Sequence, residues 1–166
     1  SLTIFRLDAD TRELDSAQAV QQIELGTVGG SNKGFEGLAW DKRNQRLLVA
    51  NEKNPLRLFS LACDGRQVSG PLQALGDLDD YLTDVAGLSV DPRSGQLLAL
   101  SQESHLLLGL DPQLQAQSFL ALLPGLNGLT RRVPQAEGLA LDNAGNLYVV
   151  SERTLFFPFQ REVSAP

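Results

Sequence analysis

The sequence predicts an all-β fold, a β-propeller of four-stranded antiparallel blades, and three observations predict it. The first is repetition. The segments "FEGLAWDKRNQRLLVANE", "VAGLSVDPRSGQLLALSQE" and "AEGLALDNAGNLYVVSE" begin at Phe35, Val85 and Ala136. Their glycines Gly37, Gly87 and Gly138 lie 50 and 51 residues apart, as do Asp41, Asp91 and Asp142, while Asn51, Ser101 and Ser151 close the units at intervals of 50. A period of this length marks an array of supersecondary units that bury their faces against one another. The second observation is composition: 15 Gly and 8 Pro with 6% aromatic residues favour many turns and short strands. The third is the lack of a sustained helical stripe, with a glycine inside every first strand, where a helix would lose stability.

Each unit has the same grammar. Gly-Leu-(Ala or Ser)-apolar-Asp is a first strand that ends in a turn-forming aspartate. The polar stretches "KRNQ", "PRSGQ" and "NAGN" are hairpin loops. The runs "LLVA", "LLAL" and "LYVV" are second strands, covered on both faces because they are continuously apolar. Third strands are expected at "LRLFSL" and "HLLLGL", the latter including His105, and outer fourth strands at "RQVSGPLQAL" and "LQAQSFLAL". The opening "LTIFRLDADTRELDSAQAVQQIEL" matches a third and fourth strand, and the last unit supplies three strands. The expected layout is a partial blade over 1–28, blades over 29–76 and 77–125, a partial blade over 126–160 and a tail over 161–166. Such an arc is expected to be a fragment of a longer protein, or to self-associate through its open blade edges and close its ring with another copy.

The 166 residues suffice for one domain with a sizeable core. A formal charge of −6, with Arg131-Arg132 as the strongest basic spot, argues against a nucleic-acid partner and suits a cation. No run of 18 apolar residues is present, so no transmembrane segment is expected in this chain. Cys63 is the one cysteine, which rules out an intrachain disulfide and reads as a small apolar residue at a strand end.

The acids carry the functional signal. A propeller's first strands line its central channel, so the equivalent residues Glu36 and Glu137 are expected to converge at one mouth although 101 positions separate them. The middle unit has Ala86 there, and Asp84 is expected to restore a carboxylate from the preceding loop. Convergent carboxylates repel unless protonated or bridged by a cation. An all-oxygen donor set, with His105 the only imidazole, favours calcium, then magnesium, over softer metals. The plainer reading of each glutamate is a solvated rim residue or a cap for backbone amides. Glu52, Glu103 and Glu152 follow the second strands and are expected either to orient ligands, to pair with Lys53 and Arg153, or to be ordinary turn residues. The acidic stretch "GDLDDYLTD" departs from an EF-hand loop at Tyr81 and reads as an inter-blade loop with Asp84 turned inward. Ser101, Ser104 and Ser151 lack a base in the pattern, so no nucleophilic triad and no catalytic residue is assigned.

"NKGFEGLAWD" with "LLVANEKNP", "DVAGLSVDPRSGQLLALSQES" and "VPQAEGLALDNAGNLYVVSERTLFFPF" resemble the SdiA-regulated family of bacterial proteins, distant relatives of NHL-repeat propellers. The resemblance runs from about Ser1 to Phe159. It implies a five-bladed propeller with a calcium site, and a periplasmic or membrane-anchored extracytoplasmic location. Ala86 departs from the glutamate pattern and puts the middle ligand in doubt. Three functions are compatible with these residues. The leading one is a non-enzymatic, calcium-binding propeller that holds a protein or other ligand on one face. The second is a metal-dependent, lactonase-like hydrolase with an axial cation, and the third a structural propeller without metal.

Overall fold

The computed structural model describes residues 1–26, 34–152 and 154–161. The described residues form four antiparallel sheets in chain order. The first pairs β1 (Leu2–Ile4) with β2 (Gln21–Ile23). The second runs β3 (Phe35–Asp41), β4 (Arg46–Asn51), β5 (Arg57–Cys63) and β6 (Val68–Asp77). The third runs β7 (Gly87–Val90), β8 (Leu97–Ser101), β9 (Leu106–Leu110) and β10 (Ala116–Ala121). The fourth holds β11 (Ala136–Leu141), β12 (Leu147–Ser151) and β13 (Leu155–Phe159). This is a partial β-propeller, as the repeat predicts. The helical element among the described residues is a single 3-10 turn at Ser16–Gln18, capped by the Asp15 carboxylate, which accepts the Ala17 N–H at 2.9 Å. No helix of the described residues is long and apolar enough to cross a membrane.

His105 lies outside the third strand in which the sequence places it. Its φ of 52° puts it in the left-handed region at the turn before β9, where its carbonyl accepts the Leu122 N–H at 2.8 Å. The left-handed region suits a turn and not a strand. Cys63 is buried at the end of β5, as its type suggests.

Strand alternation sorts each sheet into a leading face, toward the sheet before it in the chain, and a trailing face, toward the sheet after it. Register places Gly37, Ala50 and Leu58 side by side on the trailing face of the second sheet. Leu88, Ala99 and Leu108 are side by side on the leading face of the third, and both rows enter one core. Gly87, Leu100 and Leu107 repeat the trailing row, packed near Leu139, Val149 and Phe157 of the fourth sheet. Leu48, Leu58, Leu100 and Leu110 are fully buried in these seams, each contributing about 1.5–3 kcal/mol of transfer free energy.

The recurrent glycine is explained by the seam. A Cβ on Gly37 would stand 2.7 Å from Cγ of Leu88, and one on Gly87 would stand 2.9 Å from Cδ2 of Leu139. Each glycine is the hole for the leucine that follows the next unit's glycine. At the other end of the first strands, arginines clasp the seams. Arg43 donates to the carbonyls of Ser94 at 2.8 Å and Arg93 at 3.2 Å, and Arg93 donates to the carbonyl of Ala144 at 3.5 Å. Ala144 holds the equivalent place in the last unit, so the clasp is not repeated there.

Candidate functional site

Glu36 and Glu137 owe their placement to the same irregularity. Phe35 pairs with Asn51 and Gly37 with Ala50, so Glu36 is the extra residue of a β-bulge. Ala136 pairs with Ser151 and Gly138 with Val150, which makes Glu137 the bulge residue of its sheet. A bulge leaves its extra residue unpaired in the ladder and re-aims its side chain. Both glutamates are exposed at the start of the innermost strand. The turns behind them are equivalent too: Glu52 N–H donates to the Gly34 carbonyl at 3.2 Å and Glu152 N–H to the Gln135 carbonyl at 3.0 Å. In the third sheet the ladder begins at Gly87, with the Ala86 N–H donated to the Leu100 carbonyl at 2.9 Å, and no acid projects from that place.

The carboxylates converge in the electrostatic sense. Partial burial raises the Glu137 carboxyl above its ordinary value, and the negative fields of Glu152, Glu36, Asp84 and Glu52 raise it further. Four acids, in or beside the second, third and fourth sheets, therefore act on Glu137. Lys53 stands among them as a counter-charge, hydrogen-bonded to Glu103 and 3.7 Å from Glu52, and its ammonium is held above the usual lysine range by Glu103 first. Glu152 accepts from Gln135 Nε2 at 2.7 Å, while its expected partner Arg153 lies outside the described residues. Glu52 and Glu103 thus act partly as ion-pair partners of Lys53, one of the roles their position allows.

Asp84 is buried and turned inward, 4% exposed. Its carboxylate accepts Ser101 Oγ, the Gln102 N–H at 3.2 Å and the Glu103 N–H at 3.0 Å. Three of the roughly four acceptor positions of a carboxylate are thereby used to hold the 101–103 turn. The residues that close each unit serve the same turn: Asn51 Nδ2 donates to the Lys53 and Pro55 carbonyls at 2.8 and 2.9 Å, and Ser101 Oγ accepts the Ser104 N–H at 3.0 Å. Two further acids of the 76–84 stretch have structural partners. Asp77 pairs with Arg57, Nη2 to Oδ2 at 3.0 Å, and Asp79 accepts the Leu56 N–H at 3.1 Å.

The donor chemistry at the mouth, carboxylates beside backbone carbonyls, fits a hard divalent cation and no softer metal. Among the described residues, no three His, Cys, Asp or Glu side chains approach closely enough to hold an ion as they stand. What the mouth offers is donor type: Glu36 and Glu137 are exposed at their bulges, whereas the Asp84 carboxylate is held in its turn by three hydrogen bonds. A cavity of about 140 Å³ lies between the second and third sheets at their hairpin end, lined by Asp41, Arg46, Val90, Asp111 and Leu114, and it shares none of the mouth acids.

At that hairpin end the recurrent aspartates do other work. Asp142 accepts the Asn146 N–H at 2.8 Å, Asn146 Nδ2 at 2.8 Å and Tyr148 Oη at 3.0 Å, and these donors hold its carboxyl down to about 2. Asp41 is kept low by Asn44 and Arg46 against the opposing effect of burial, and Asp91 by Arg93 in the same way. The arginine clasps were missed in the sequence, although Arg43 and Arg93 carry the signal of a 50-residue interval.

With this geometry in place the comparisons decide the family. The profile of the SdiA-regulated family matches residues 1–160. The chain belongs to that family. Among solved structures it is similar to glutaminyl cyclase of Myxococcus xanthus, with 21% identity, a TM-score of 0.57, and coverage of 86% of this chain and 53% of the cyclase. It is similar also to a chain of a nidogen/laminin complex, at 14% identity and TM-score 0.56, covering 90% of this chain and 49% of the other. A luciferin-regenerating enzyme matches at 16% identity and TM-score 0.51, over 70% of this chain and 37% of that one. The chain spans about half the length of the first two structures. At these identities the likeness concerns the fold alone.

Proposed function

We propose that this SdiA-regulated propeller is a non-enzymatic binding module whose acidic axial mouth takes a calcium ion, with magnesium as the weaker alternative. The observation that carries the proposal is the equivalent placement of Glu36 and Glu137, each the bulge residue at the start of an inner strand, and the raised Glu137 carboxyl, on which the fields of Glu152, Glu36, Asp84 and Glu52 act, supports it. Glu36 and Glu137 are the ligands we assign, with Asp84 contributing from its turn and Glu52, Glu103 and Glu152 orienting the shell. When bound, the cation supplies positive charge that relieves carboxylate repulsion and ties the sheets at their inner strands. Bound to the folded chain alone, it raises stability by mass action. An extracytoplasmic location, implied by the family resemblance, belongs to the proposal, since extracellular calcium modules work at about 10⁻⁴–10⁻³ M. The rigid disc around the axis is left to present a face to a protein or other ligand.

A hydrolase on the same cation would need a nearby acid or base, and Asp84 already accepts three hydrogen bonds. Isothermal titration with calcium, magnesium and zinc tests the binding reading. Saturable calcium binding that is lost in the Glu36→Gln, Glu137→Gln double variant supports it, and equal heats in both chains contradict it. Lactone or phosphate-ester turnover that disappears with Glu137→Gln would replace the non-enzymatic reading with the hydrolytic one.

A further inference from the structure

The cavity of about 140 Å³ at the hairpin end is walled by two whole four-stranded sheets, the second and the third. Strand alternation puts Arg46 and Leu48 of β4 on the trailing face of the second sheet. Val90 and Leu97 pair with each other on the leading face of the third, and with Leu48, Leu58 and Leu114 they give the cavity an apolar floor. Leu114 has a φ of 60°, in the left-handed region that favours glycine, and Gly65 takes such a φ in the corresponding hairpin of the second sheet. A leucine in a glycine's conformation here packs across the seam, since a Cβ on Gly76 would stand 2.8 Å from its Cδ1. A strained position that walls a cavity points to a use of that cavity. An apolar cavity of about 150 Å³ holds a benzene-sized molecule, which sets the apolar body of a guest at about six heavy atoms.

The rim is polar, and its acids are already used. Asp41 accepts the Asn44 N–H at 3.1 Å, Asn44 Nδ2 at 2.7 Å and Arg46 Nε at 2.9 Å. Asp111 accepts the Gln113 N–H, the Gln115 N–H and Gln117 Nε2, each at 2.9 Å. Both carboxylates thus have three of their roughly four acceptor positions filled. Arg43, in the wider groove beside the cavity, is engaged with the Ser94 and Arg93 carbonyls. Arg46 is the group left over. Its Nε serves Asp41, while its two Nη groups have no acceptor among the described residues, and the side chain lines both the cavity and the groove. The other two units have Gln96 and Asn146 at this place, so of the three only this one offers a guanidinium.

We propose that this cavity binds a small organic monocarboxylate, with its apolar body on the leucine and valine floor and its carboxylate on the Nη groups of Arg46. A guanidinium pairs with a carboxylate through two parallel N–H···O bonds, and Arg46 has both donors to offer. An organic cation would find the two aspartates occupied by the chain's own donors. The site lies at the opposite end of the first strands from the mouth and shares none of its acids. It adds a second ligand class to the binding module and does not rest on the cation reading.

Isothermal titration of the full chain with benzoate and hexanoate, and with benzyl alcohol as the neutral counterpart, tests it. Both carboxylates are expected to bind saturably at one site, and benzyl alcohol about tenfold more weakly. Arg46→Gln installs the residue type that the third unit carries at this place. It is expected to weaken benzoate by about tenfold or more and to leave benzyl alcohol unchanged. Leu75→Trp fills the cavity from its outer wall and is expected to abolish binding with unchanged circular dichroism, because Leu75 is 38% exposed. Should that variant lose the strand signature, Val90→Leu, a smaller filling, replaces it. No saturable binding of either carboxylate overturns the proposal, as does benzoate binding undiminished in Arg46→Gln. Benzyl alcohol bound as tightly as benzoate would leave the guanidinium without a role, and this too overturns it. Calcium binding without carboxylate binding sinks this inference alone, and carboxylate binding without calcium binding sinks the calcium reading alone.

Discussion

The two ends of the first strands use the same residue type in opposite ways. At the hairpin end, Asp41, Asp91 and Asp142 are surrounded by donors and held below the ordinary carboxylate range. At the mouth, Glu137 is raised by burial and by other acids. The difference is local chemistry. A hairpin aspartate finds its donors within the next six residues of its own turn. A bulge glutamate is released from the ladder, and all but Glu152 of the acids acting on Glu137 belong to other parts of the arc. One end stores hydrogen bonds and the other stores charge, and a repeat can carry both because it places equivalent residues on a ring.

The largest effect is expected where the two roles meet in one residue. Asp84→Ala leaves Ser101 Oγ and two backbone N–H groups without their acceptor in a buried turn. A loss of about 3 kcal/mol or more, or roughly 6–12 °C in Tm, is expected by thermal denaturation. A change of less than about 1 kcal/mol would mean that Asp84 belongs to the mouth alone. Next comes the seam between the ends. Gly37→Val drives a side chain into Leu88 and is expected to cost about 1–3 kcal/mol by urea denaturation, and an unchanged midpoint would refute the interlock. Arg43→Met removes the donors to the 93 and 94 carbonyls at the hairpin end and is expected to cost about 1 kcal/mol, with calcium response intact.

The smallest effect is the most diagnostic, because the two ends respond to pH with opposite sign. The Asp142 carboxyl is depressed in the folded chain, so its contribution is present above the unfolded value near 3.8 and is lost as pH falls through about 2. Glu137 is raised, so the folded chain is favoured below the unfolded value near 4.5 and loses that advantage as pH rises through the folded value. Glu137→Gln should therefore raise Tm at pH 7 without calcium, by no more than about 2 °C for so exposed a charge, and have no effect at acid pH. Asp142→Asn should lower Tm at pH 7 and lose its effect near pH 2. Effects of the same sign at the two sites would remove the contrast.

Much of this was legible in the sequence because the repeat carries it. The strand order follows from three segments in register, and so does the equivalent place of Glu36 and Glu137 at the start of an inner strand. The bulges were not legible, since they are mismatches between paired strands and leave no mark on either one alone. Asp84 was expected to supply a carboxylate to the mouth, and its hold on the 101–103 turn went unread because its hydrogen bonds reach residues 17 to 19 positions away, a distance at which local pattern says nothing. His105 was taken into a strand by its apolar successors, and the turn won because the backbone there must reverse through a positive φ. Lys53 was considered only as an ion-pair partner, whereas its bridge to Glu103 spans the second and third sheets.

The central claim, that the mouth is a store of negative charge awaiting a cation, is tested most directly by thermal denaturation in calcium and in chelator. Calcium is expected to raise the Tm of the wild-type chain and to leave the Glu36→Gln, Glu137→Gln double variant unmoved, with the variant more stable than wild type in chelator at pH 7. Identical melting of the wild type in calcium and in chelator would contradict the account.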